Sequence, residues 1–282
     1  MSGPHEIAFV KAQAYGNDFL FVEAEAVEGA DPAALARAAC HRTRGVGADG
    51  LIRYRRTPEG AAMTLVNADG SPAEVSGNGV RCLGAMLAAG RDVTTGRDEE
   101  SATPGAEFAV ATDAGVRRLV LLASEPPRYT FRGAMGAPRD LRRRTLDVDG
   151  EQVAAVVLSV GNPQCVVLTT ALDEARFRRL GPRLAKHREF PAGTNVAFVE
   201  VQRADRVRVL IWERGVGPTE ASGTGACGAA VAAAAFGGAA RRLDVVAPGG
   251  IQRVEWTDEG IWLTGWAEIT ARGRWARRPE AD

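Results

Sequence analysis

Short apolar runs separated by Gly, Asn and Asp turns fill the first half of the chain. The runs at 8–10, 19–22, 51–54 and 63–66 have the length and the flanking turn residues of strands. Pro32–Cys40 is Ala-rich and follows Asp31, a good N-cap, which predicts a helix. Ser76-Gly77-Asn78-Gly79 opens a second helix over 80–89, stopped by Gly90. The second half predicts strands at 153–159, 165–168, 195–201 and 207–212. Ser222-Gly223-Thr224-Gly225 then opens an Ala-rich helix through 235, stopped by Gly237-Gly238. A helix apolar on every side has to be enclosed, here by sheet. Residues 91–106 lack periodicity and read as a mobile surface loop. The charged stretch from 138 to Asp149 reads as a surface excursion.

These elements repeat. Gly16-Asn17 and Gly161-Asn162 lie 145 positions apart. Gly47-Ala48-Asp49 and Gly193-Thr194-Asn195 lie 146 apart, as do the 64–67 and 210–213 runs. Pro72 to Gly79 matches Pro218 to Gly225 at the same 146. Ordered matches at a nearly constant offset indicate duplication. The expected fold is α+β: two pseudo-symmetric domains, each with curved sheets around a central helix, and an active site in the cleft between them. The predicted domains are 1–133, with 266–282 packing back on it, and 134–265.

Composition narrows the function. Lys+Arg and Asp+Glu both count 35, and this zero net charge gives no reason to expect a nucleic-acid or anionic-membrane partner. No apolar run approaches the ~20 residues of a membrane span, and no secretory leader is recognisable. Cys40, Cys82, Cys165 and Cys227 are scattered and do not cluster with His5, His41 or His187. Cytoplasmic free thiols and no metal site are the expectation.

The two Ser-Gly-x-Gly turns carry the most chemistry. Each places a hydroxyl among helix-terminal N–H groups, where the dipole favours a carboxylate or a developing anion. Ser76 and Ser222 also suit plain N-caps, and both readings stay open. Asn17, Asn67, Asn162 and Asn195 fall at strand-to-loop positions and can both donate and accept. Glu213-Arg214 adds a carboxylate for an ammonium and a guanidinium for a carboxylate.

Taken together, Gly16-Asn17-Asp18-Phe19, Gly45-Val46-Gly47-Ala48-Asp49, Asn67-Ala68-Asp69-Gly70-Ser71, Gly77-Asn78-Gly79-Val80-Arg81-Cys82, Gly161-Asn162-Pro163, Gly193-Thr194-Asn195, Glu213-Arg214-Gly215 and Gly223-Thr224-Gly225-Ala226-Cys227 resemble diaminopimelate epimerase along nearly the whole chain. The resemblance implies interconversion of LL- and meso-diaminopimelate for lysine and peptidoglycan, without pyridoxal phosphate or metal, by a homodimer. It implies that Asn17, Asn67, Asn162, Asn195, Glu213 and Arg214 contact substrate. It also implies that the amides of Gly77-Asn78 and Gly223-Thr224 hold the reacting carboxylate.

The sequence departs from that pattern in its chemistry. The family's two catalytic cysteines fall on Ser76 and Ser222, its assisting histidine on Gln164, and a common glutamine on Gly50. A hydroxyl is a far weaker acid than a thiol of pKa ~8.5, and Gln164 cannot act as a base, whereas Glu213 can assist one serine. Cys82 and Cys227 lie more than a helical turn past their serines and belong to the core. Three functions are therefore carried forward: a cofactor-independent epimerase with Ser76 and Ser222 as acid and base; a related isomerase or dehydratase; and a ligand-binding paralogue with impaired chemistry.

Overall fold

The computed structural model describes residues 5–73, 76–90 and 100–277. Residues 1–132 with 266–282 form one compact unit and 133–265 another, so the chain leaves the first unit and returns to it at the end.

In the first unit β1 (His5–Ala14) and β2 (Asn17–Glu23) form a hairpin in which Ala14 pairs with Asn17. Its two loop residues, Tyr15 and Gly16, have φ of 57° and 86°. Such a turn matches strand twist, and it makes Tyr15 a bulky residue held in the left-handed region. α1 (Pro32–Cys40) carries the chain to β3 (Gly50–Thr57), which runs parallel to β2. Asp31 caps α1, accepting from the N–H of Ala33 and Ala34. β4 (Gly60–Asn67) returns antiparallel to β3, and the short β5 (Pro72–Ala73) pairs with it. α2 (Gly77–Ala88) then crosses to β6 (Glu107–Thr112), parallel to β4, and β7 (Gly115–Glu125) pairs with β6. β8 (Arg128–Gly136) leads out of the unit.

The second unit repeats this order. β9 (Arg139–Val148) pairs with β10 (Glu151–Ser159), which forms a hairpin with β11 (Pro163–Thr169). α3 (Glu174–Ala185) links β11 to the parallel β12 (Asn195–Arg203). β13 (Arg206–Glu213) and β14 (Gly217–Thr219) follow antiparallel. α4 (Gly223–Phe236) crosses to β15 (Arg242–Ala247), parallel to β13. β16 (Gly250–Thr257) then pairs with the start of β17 (Gly260–Arg277). Parallel pairs spanned by a helix thus fall at corresponding places in both units, the topology that an internal duplication predicts.

The helices divide by composition. α1 and α3 are apolar on one side only: Leu35, Ala36, Ala39 and Cys40 join one core, and Phe177, Leu180, Leu184 and Ala185 the other. α2 and α4 are buried almost throughout. α4 packs against β10, β11, β12, β13, β15 and β16, the enclosure that its unbroken Ala and Gly surface requires.

The structure corrects one sequence expectation and adds detail at two further places. The charged stretch before Asp149 is a regular strand, β9, because its Leu146 and Val148 turn into the core while the arginines face outward. α3 was not predicted separately; its arginine-dense surface hides a four-residue apolar stripe. Of the 91–106 loop, residues 91–99 lie outside the described residues. Residues 100–106 are irregular but anchored: the Ala102 N–H donates to Ala88, the Gly105 N–H to Leu121 and the Ser101 hydroxyl to Ala89.

Candidate active site

Ser76 and Ser222 occupy the N-caps of α2 and α4. Each side chain accepts from the N–H three residues on, Gly79 at 3.1 Å and Gly225 at 3.3 Å. The backbone N–H groups of Gly77, Asn78, Gly223 and Thr224 stand in the first helical turn, where no helix carbonyl can reach them. The capping role is therefore real, and it leaves each hydroxyl proton and these amides to other partners. The environments of the two serines differ. Ser222 is buried and Ser76 partly exposed.

Glu213 neighbours Ser222: burial pushes its carboxyl above the usual carboxylate range, and the Ser222 hydroxyl pulls the other way. A carboxyl held up in this way takes a proton more readily than an ordinary carboxylate. The hydroxyl beside it is the group that can pass one on.

Arg214 follows on the same turn. Its backbone N–H donates to Asn195 Oδ1 at 2.8 Å, and its guanidinium to the Ala192 carbonyl at 2.8 Å. A Cβ on Gly193, at φ +75°, would lie 2.9 Å from the Arg214 Cδ, so glycine there makes room for the arginine. Asn162 Oδ1 accepts from Gln164 Nε2 at 2.6 Å. Gln164 is 1% exposed and its Cγ lies 3.0 Å from where a Cβ on Gly228 of α4 would stand.

In the first unit the Asn17 side chain bonds directly to Asn78 at 3.2 Å and to Asp49 at 2.8 Å. Asn67 ends β4 opposite Gly50, and its side chain donates to the Ser71 hydroxyl at 3.0 Å. Asp18 lies behind this group. Burial alone pushes its carboxyl up, but the two-pronged bond from Arg42 and the ion pair with Lys11 at 3.0 Å outweigh that and hold it below the ordinary range.

The structure thus joins Asn17 with Asn78, Asn195 with Arg214, Asn162 with Gln164, and Glu213 with Ser222. Sequence reasoning passed over Asp49 and Arg81. The signal for Arg81 was its spacing, three residues after Asn78 on one helix face. Strand register also moves one correspondence: Phe19 pairs with Gly50 and Gln164 with Asn195, so Asn195 occupies the place of Gly50 rather than of Asp49. A Cβ on Gly50 would lie 3.0 Å from Leu65 and 3.3 Å from Phe19, leaving a side chain little space there.

Cys82, Cys165 and Cys227 are fully buried. Burial pushes the Cys82 thiol far above its usual range and the Cys165 thiol up to about 12, so neither supplies a thiolate near neutral pH. Among the described residues no cluster of His, Cys, Asp and Glu could hold a metal ion, and no helix is long and apolar enough to cross a membrane.

The diaminopimelate epimerase family model matches residues 9–129 and 156–270. The chain belongs to the diaminopimelate epimerase family. It is 41% identical to a diaminopimelate epimerase of Desulforudis audaxviator over 95% of this chain and 99% of that one. It is 34% identical to one from Desulfitobacterium hafniense over 94% and 96%. Among solved structures, a probable proline racemase from Agrobacterium radiobacter K84 has a TM-score of 0.68 at 16% identity, covering 95% of this chain and 92% of that one. A methylitaconate-delta-isomerase has a TM-score of 0.67 at 12% identity, covering 98% and 96%. These distant structures share the fold. With its close relatives named as epimerases, the chain is an epimerase-like isomerase, built in the family's duplicated frame with serines at both helix caps.

Proposed function

We propose that this isomerase inverts the α-carbon of diaminopimelate, interconverting the LL and meso forms in the supply of lysine and peptidoglycan precursors. The carrying observation is the Glu213–Ser222 pair at the N-cap of α4. As the Glu213 carboxylate takes the Ser222 proton, Ser222 Oγ takes the α-proton, and the resulting negative charge spreads onto the substrate carboxylate. In this reading the first-turn amides of Gly223-Thr224 and Gly77-Asn78 stabilise that charge. Ser76 donates the proton to the other face. Asn17, Asn67, Asn162, Asn195 and Arg214 bind the remaining amino and carboxylate groups. We read the protein as a cytoplasmic homodimer by likeness to its family, which sedimentation at working concentration would test.

Proton NMR of the protein with LL-diaminopimelate in heavy water tests the proposal. Loss of the α-proton with appearance of the meso form is the expected result, and retention of the α-proton refutes it. A second reading rests on Gln164: it stands at the family's assisting-histidine position and cannot take a proton. One-faced chemistry, as in an isomerase or dehydratase, would follow from that, and solvent exchange without inversion is its signature. Ligand binding with no exchange would instead mark an impaired paralogue.

A further inference from the structure

A line of hydrogen bonds crosses the first unit from a cation to an anion. Arg81, 4% exposed, donates to Asn78 Oδ1, and its guanidinium carbon lies 5.7 Å from the Tyr15 ring centre. Asn78 Nδ2 donates to Asn17 Oδ1 at 3.2 Å. Asn17 Nδ2 donates to Asp49 Oδ2 at 2.8 Å. The other Asp49 oxygen accepts from Arg42 at 2.7 Å, which fixes the carboxylate from behind.

Each asparagine amide has two orientations, with oxygen and nitrogen exchanged. Arg81 only donates and the Asp49 carboxylate only accepts. Turning Asn78 would set its NH₂ against the guanidinium. Turning Asn17 would set its oxygen against the carboxylate and its NH₂ against that of Asn78. A single combination satisfies every partner, so the two ends of the line dictate the direction of both amides. We infer that Asp49 and Arg81 are positioning residues that lock Asn17 and Asn78 in one orientation, presenting the second Asn17 N–H to an acceptor oxygen on the bound molecule. This rests on the proposed role of Asn17 in substrate binding. The locking itself does not need the substrate to be diaminopimelate.

The test follows the ¹⁵N side-chain amide signals of Asn17 and Asn78 in the full-length protein, with those of Asn162 and Asn195 reporting an intact second unit. Asp49→Asn should raise the amide hydrogen-exchange rate of Asn78, which Asp49 does not touch, as well as that of Asn17. Arg81→Met should do the same to Asn17 from the other end. Asp49→Glu, which keeps an acceptor, should preserve slow exchange at Asn78 and stands in if the other variants do not fold. With LL-diaminopimelate, Asp49→Asn should raise KM about tenfold and change kcat less, the mark of lost binding orientation. An Asn78 signal unmoved by Asp49→Asn, or moved equally by Asp49→Glu, overturns the inference. Coupled amides in a wild-type protein that exchanges no α-proton would overturn the function proposed above and leave the locking established.

Discussion

Replacing Ser222 by alanine should cost stability by an amount that depends on pH, whereas the same change at Ser76 should not. Both substitutions remove an N-cap bond, at 3.3 and 3.1 Å, worth about 1 kcal/mol each. Ser222→Ala also strips the partly buried Glu213 carboxyl of its serine partner. An acceptor left desolvated without a bond costs up to a further ~1–3 kcal/mol. Glu213 is raised in the folded state, so the fold binds its proton more tightly than the unfolded chain does. Its contribution to stability is therefore fully present at acid pH and is lost as pH rises through the raised value. Removing Ser222, the influence pulling that value down, moves it further up. The Ser222→Ala deficit should thus be about 1 kcal/mol at acid pH, where Glu213 is protonated, and up to about 2–4 kcal/mol at alkaline pH. Denaturant melts across pH would read the difference, with Ser76→Ala as the flat control. In a Glu213→Gln background the pH dependence should vanish, since glutamine carries no charge to strand. Equal and pH-independent deficits for the two alanine variants would refute the pairing of Glu213 with Ser222.

Glu213→Gln alone should lower α-proton exchange by ~10²–10⁴-fold, while raising stability above neutral pH; NMR exchange and melting check the two halves separately. The wild-type exchange rate should rise with pH through the raised Glu213 value, and a pH–rate profile displaced from an ordinary carboxylate would show it. Gly193→Ala should cost about 1–2 kcal/mol of backbone strain and weaken dicarboxylate binding by displacing Arg214, which calorimetry would measure. Restoring thiols as Ser76→Cys with Ser222→Cys should accelerate exchange on diaminopimelate, because a thiol at a helix N-terminus titrates near neutral pH; no gain would point to a changed substrate.

The sequence spoke most clearly where local chemistry and burial agree. Asp31 and Pro32 set the start of α1, and the unbroken apolar surface of α4 left it no course but enclosure. The two helix caps were legible because Ser before Gly-x-Gly has a specific backbone use. The pairing of Glu213 with Ser222 was half-visible, since one group follows the other along a strand and turn. The Asp49–Asn17–Asn78 part of the line was not, because it joins residues 32 and 61 positions apart through side-chain contacts that no periodicity encodes. β9 was misread for a different reason: its exposed arginines outnumber the few inward apolar residues that make it a strand.

The return of the chain to its first unit sets an order of assembly. β1 pairs from His5 to Gln13 with β17 from Arg277 back to Glu268. During synthesis β1 waits for a partner that follows it by 255 residues, the separation of the paired Gln13 and Glu268. The second unit, continuous from 133 to 265, has all its residues before that partner appears. At ~5–20 residues per second, those 255 residues take between about 13 and about 51 seconds to add. During that time one edge of β1 must be kept from pairing with a neighbouring nascent chain.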